Sequence, residues 1–210
     1  MILRQTCFIA RFAAFFVIVL FPVIASAKII QGNVESTSST GQILELTMTI
    51  DDTKTRFEMT GPDYSWYAFG FDTTTMMGYS LIVEGLNDGR TVVEQNLVGV
   101  GNPGGPQATQ NISIIDTIHD DLNDFTTVIV ERPNSTGDSN DPVFTTSMTS
   151  LPIIWAHDSF ATPATPNPDL TYHGSGGRGF STIRFSEVPE PMGLLLAAMA
   201  GAALCTLRRR

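Results

Sequence analysis

The sequence predicts an all-β protein, an antiparallel β-sandwich of about ten strands, and three observations carry that prediction. Short segments that alternate apolar with polar residues, or that cluster β-branched residues, recur through the middle of the chain. Gly, Pro, Asn or Asp punctuate the gaps between them. No segment of the middle region sustains the apolar period of an amphipathic helix, and no internal repeat of fixed period indicates a propeller or solenoid.

The first strand is expected at 29–34, where two isoleucines lead to Val34. At 43–50, Leu44, Leu46, Met48 and Ile50 alternate with Glu45, Thr47 and Thr49. Alternation returns at 55–60 around Phe57 and Met59, and 65–71 is an aromatic run, Ser-Trp-Tyr-Ala-Phe-Gly-Phe. Apolar and β-branched residues mark 80–83, 91–98 and 111–115, then 126–132, 153–157 and 182–185. Turns fall at Asn87-Asp88-Gly89, at 101–106, at 134–142 and in the proline-spaced stretch 161–169. Only 118–125 reads as a helical turn.

Both ends of the chain read as addresses. Arg4 and Arg11 precede an apolar stretch at 12–24 and a small-residue site, Ala25-Ser26-Ala27, the pattern of a cleaved secretory signal. The mature chain is then expected to begin at Lys28. At the other end Pro189-Glu190-Pro191 leads into an apolar run of 16 residues, 192–207, and then Arg208, Arg209 and Arg210. That run is short against the about 20 residues that usually span a bilayer, and the arginines would hold its end on the cytoplasmic side. This tail resembles the PEP-CTERM sorting signal of Gram-negative bacteria, in which a Pro-Glu-Pro motif, a transmembrane segment and an arginine cluster occur in that order. The resemblance implies export through the inner membrane, temporary anchoring by a C-terminal transmembrane helix, and processing near the triplet by an exosortase. The product would then reside at the cell surface or outside the cell. The expected division is a signal helix at 1–27, one domain at 28–187 and the sorting signal at 188–210.

Composition narrows the chemistry. The two cysteines, Cys7 and Cys205, lie in the signal and the tail, so the domain contains no disulfide and no Cys-x-x-Cys-His haem attachment. Seven of the 12 basic and 20 of the 21 acidic residues fall in the domain, a formal net charge of −13. So acidic a surface repels phosphate backbones and excludes nucleic acid as a partner. No Gly-x-Ser-x-Gly, His-Glu-x-x-His or phosphate-loop pattern is present, so the domain is not expected to be an enzyme.

Within the domain, Ser65 to Phe71 followed by Met76-Met77-Gly78-Tyr79-Ser80-Leu81-Ile82-Val83 resembles the centre of a DOMON domain. In the same order follow Thr127 to Arg132, Ile153-Ile154-Trp155-Ala156, and Tyr172-His173-Gly174 through Arg178-Gly179 to Ile183-Arg184-Phe185. DOMON domains are β-sandwiches that bind haem or sugars. The resemblance implies a non-covalent b-type haem with Met76, or Met77 beside it, and His173 as axial ligands to the iron. A thioether and an imidazole would occupy both axial positions, which suits electron transfer to a redox partner protein. Ser80 departs from the family, many of whose members carry an aspartate there. The other reading of the same resemblance is a non-redox module for a carbohydrate or small ligand, and a third is a structural surface protein. Two further histidines carry plainer readings. His157 is the rival to His173, since Asp158 beside it could orient its ring, but the simpler account is a strand-end residue facing water. His119 with Asp116, Asp120 and Asp121 could hold a hard cation through oxygen ligands, but the cluster's spacing matches no calcium loop and a solvated acidic turn is the default.

Overall fold

The computed structural model describes residues 28–39, 41–85, 89–100, 104–158 and 173–189. Among them the chain forms twelve strands and no α-helix. In order they are β1 (Ile30–Thr37), β2 (Ile43–Ile50), β3 (Lys54–Pro62), β4 (Tyr67–Phe71), β5 (Met77–Glu84) and β6 (Thr91–Val98). There follow β7 (Gly105–Pro106), β8 (Ser113–Asp120), β9 (Phe125–Pro133), β10 (Ser150–His157), β11 (Arg178–Arg184) and β12 (Ser186–Glu187). They pair antiparallel into two six-stranded sheets, β12-β1-β2-β3-β9-β8 and β11-β10-β4-β5-β6-β7, which make a sandwich. No helix among the described residues is long and apolar enough to cross a membrane. The expected signal helix at 1–27 and the apolar run at 192–207 lie outside them.

All ten expected strands form, and two short pairings, β7 and β12, bring the number to twelve. The one stretch that could have been a helical turn, 118–125, is not one: residues 118–120 end β8, a turn follows, and Phe125 begins β9. The pairing of β8 with β9 shifts register between Ile114 and Asp116, a bulge in an edge strand.

The two sheets bury their residues differently. In the first, inward residues such as Leu44, Leu46, Met48, Phe57 and Met59 are fully buried. Its outer face is charged, with Lys54 and Arg56 pairing Glu131 and Glu58 at 2.8 and 3.1 Å. Exposed pairs of this kind contribute at most about 1 kcal/mol each. In the second sheet, β5 is buried continuously from Tyr79 to Glu84, on both faces. A strand covered on both sides reads as an unbroken apolar run, which is how Tyr-Ser-Leu-Ile-Val reads.

The core between the sheets is centred on Phe57, Phe71 and Phe144, whose rings meet edge to face at centroid distances of 5.2 to 6.1 Å. Two buried arginines tie loops to it. Arg90 donates to the carbonyls of Ser65 and Pro62 at 2.8 and 2.6 Å, and Arg132 donates to the Pro142 carbonyl at 3.0 Å. At one corner the chain passes from β11 in the second sheet to β12 in the first. There Gly32 is needed for close approach, since a Cβ on it would come 2.5 Å from Ile183 Cγ2.

Candidate functional site

Strand register builds a cleft on the outer face of the second sheet. Ala156 pairs with Ala68, which pairs with Ile82, and Arg178 extends that row from β11. The next row runs Phe180, Ile154, Gly70, Ser80. The middle of the two rows is therefore made of Ala156, Ala68, Gly70 and Ser80, and Ile154 folds across Gly70, where a Cβ would come 2.7 Å from its Cγ1. Ser80 spends its hydroxyl on the Gln95 carbonyl at 2.9 Å, so the floor is apolar. Leu97 and Val100 form the wall on the β6 side, and Arg178 and Phe180 the wall on the β11 side. The enclosed volume is about 460 Å³, within the range of small-ligand and cofactor sites.

Met76 stands at one end of this cleft. Residues 72–76 return the chain from β4 to β5 in a tightly bonded loop. Asp72 takes a left-handed φ of 55°, which an Asp side chain tolerates. The Thr73 hydroxyl donates to the Thr75 carbonyl at 2.9 Å and accepts from the Thr75 amide at 3.1 Å. The Met77 amide then donates to the same Thr75 carbonyl at 2.7 Å, closing a three-residue turn with Met76 at its centre. Met76 is half-buried against the cleft, whereas Met77 is 59% exposed and not part of the wall.

At the other end lie Trp66, His157 and the loop that begins at His173. Four residue steps along β4 separate the two ends, roughly 13 Å. His173 is buried, with Nδ1 2.7 Å from the Gly174 carbonyl oxygen. A carbonyl can only accept, so Nδ1 carries a proton. His173 does not itself form the cleft wall, but Ser175, Arg178 and Gly179 just after it do.

The expectation that His157 faces water is incorrect. The residue is fully buried, because the 173–177 loop closes over the end of β10: its amide donates to the Gly177 carbonyl at 2.8 Å. Its Nδ1 lies 2.8 Å from the Asp158 carbonyl oxygen, and its Nε2 has no hydrogen-bond partner among the described residues. Burial holds this imidazole below the ordinary histidine range, with His173 acting in the same direction and the Asp158 carbonyl and carboxylate opposing.

The His119 cluster does not converge. Asp120 accepts from the Leu122 amide and the Asn123 side chain in the turn after β8, and His119 turns instead to the Thr126 hydroxyl at 3.1 Å. Among the described residues no group of three or more His, Cys, Asp or Glu side chains could hold a metal ion. What the sequence reading missed is the cleft floor. Its signal is present in the chain, since Tyr-Ala-Phe-Gly-Phe and Tyr-Ser-Leu-Ile-Val lack the polar positions that a solvated outer face requires.

No protein-family model and no curated protein matches this chain. Among solved structures it is similar to the cytochrome domain of Myriococcum thermophilum cellobiose dehydrogenase, at 12% identity and a TM-score of 0.46, over 72% of this chain and 88% of that one. It is also similar to the cytochrome b domain of pyranose dehydrogenase from Coprinopsis cinerea, at 15% identity and a TM-score of 0.45, over 73% of this chain and 75% of that one.

Proposed function

We propose that this chain is an exported DOMON-type domain that binds b-type haem in the outer cleft of its second sheet and passes electrons without catalysis of its own. The observation that supports this reading is an apolar, small-residue floor with Met76 in the wall at one end and Ser175, two residues after the buried His173, in the wall at the other. The donor set fits: a thioether on a turn closed by backbone bonds, and an imidazole whose Nδ1–H donates to a carbonyl. Met76 and His173 would hold the haem, which would supply a one-electron centre. The chain's own residues do the rest. The loop of Thr73 and Thr75 presets Met76, the Gly174 carbonyl sets the His173 tautomer, and Ala68, Ile82 and Ala156 exclude water. Its partners would be a redox protein at the envelope and, during maturation, an exosortase acting near Pro189-Glu190-Pro191.

The second reading, a non-redox module for a carbohydrate or other small ligand, is favoured by Phe180, whose ring is 76% exposed on the rim where a sugar could stack. The two separate in one experiment. The full-length chain is expressed in a haem-sufficient host, and visible spectra are recorded oxidised and reduced beside Met76→Ala and His173→Ala. Sharp low-spin bands on reduction, lost in both variants, are expected. A colourless, folded protein that takes up no added haem refutes the cytochrome reading.

A further inference from the structure

Charge pairing singles out one residue of the cleft. The domain has seven basic residues, and five are committed: Lys28 to Glu187, Lys54 to Glu131, Arg56 to Glu58, and the buried Arg90 and Arg132 to backbone carbonyls. Arg178 and Arg184, both on β11, make no hydrogen bond or ion pair among the described residues. In a domain with 20 acidic residues, a free arginine on a ligand cleft is unexpected from charge balance alone. Among the described residues Arg178 is the one charged residue in the cleft wall, set opposite Ala156 at the edge of the floor, with the apolar Leu97 and Val100 across from it. The cleft is thus amphipathic across its width, apolar at β6 and cationic at β11.

We propose that Arg178 holds a carboxylate of the ligand, so that the ligand lies with its acidic edge at β11 and its apolar body over Ala68, Gly70 and Ile82. The inference rests on the reading that this cleft takes a ligand; for haem, the carboxylates are its two propionates. A planar guanidinium suits this role because its forked donors meet both oxygens of a carboxylate. Arg184 supplies a matched control, since it lies opposite Ser150, six residues along the strand and roughly 20 Å away.

The test uses a flat apolar carboxylate without iron. 1-Pyrenebutyric acid and its methyl ester are titrated into the full-length chain, followed by fluorescence, with Arg178→Gln, Arg178→Lys and Arg184→Gln beside it. The acid is expected to bind about tenfold more tightly than the ester. Arg178→Gln should abolish that preference, Arg178→Lys should keep part of it, and Arg184→Gln should leave it intact. Equal binding of acid and ester, a preference that survives Arg178→Gln, or binding of neither overturns the proposal. Haem and its dimethyl ester are titrated in parallel. Acid discrimination without any haem spectrum refutes the cytochrome reading alone. A haem spectrum with the diester bound as tightly refutes the role of Arg178 alone.

Discussion

Gly179→Ala tests whether β11 and the cleft are locked together through Trp155. A Cβ at this position would lie 2.3 Å from Trp155 Cζ2, 2.6 Å from Cε2 and 3.0 Å from Nε1. Carbon atoms in contact sit about 3.5 Å apart or more, so the indole must withdraw by roughly 1 Å. It has little room, being only 7% exposed and part of the hydrophobic core. Overpacking of this kind costs about 1–3 kcal/mol. At about 2–4 °C per kcal/mol for a domain of this size, the melting temperature should fall by roughly 2–12 °C. Because Trp155 also lines the cleft, the near-UV circular dichroism should change and ligand affinity should fall with stability. Adding Trp155→Phe removes the crowded atoms, so the double variant should be more stable than the two single effects predict together. A Gly179→Ala protein that melts within about 1 °C of wild type, with unchanged near-UV dichroism, refutes this account of the packing.

Two other perturbations follow from buried polar groups. His157 is held below the usual histidine range in the fold, so the unfolded chain takes up a proton first as the pH falls. Stability of the haem-free protein is therefore complete above pH about 6.5 and declines below it, by at most about 1.4 kcal/mol per pH unit until the folded group also protonates. Urea midpoints against pH should show that slope, and His157→Gln should flatten it; an identical slope in the variant counts against the assignment. Arg132 is enclosed between the Tyr79 and Phe144 rings, at 4.7 and 5.2 Å from their centroids, with its Nη2 3.9 Å from the Asp141 carboxylate. Arg132→Met leaves that carboxylate buried without its cation and should cost about 3–5 kcal/mol. Asp141→Asn in the same background should recover part of the loss, and no recovery would show that the pair is not coupled.

Most of the fold was legible in the chain because antiparallel strands announce themselves locally. The alternation from Leu44 to Ile50 and the turn residues around 134–142 both became the structures they suggest. Two misreadings have local causes. Ile118 and Leu122 take a helical spacing because β8 ends at Asp120 and the chain turns between them. His157 read as a strand end in water because the 173–177 loop that covers it is close in space and not in sequence. The proposed ligands Met76 and His173 rest on family resemblance. Nothing in their own spacing pairs a loop methionine with a histidine some hundred positions later.

By itself the sequence determined the all-β class, the absence of disulfides from the acidic domain and the placement of nearly every strand, since each of these is written in residue type and short-range period. The tertiary structure decided which sheet face is apolar, that Ala156, Ala68, Gly70 and Ser80 fall side by side, and that Arg178 stands opposite Ala156 at their edge. Those are facts of register between strands far apart in the chain. Register is set by the packing of whole sheets, and a shift of one residue would carry every one of these side chains to the opposite face.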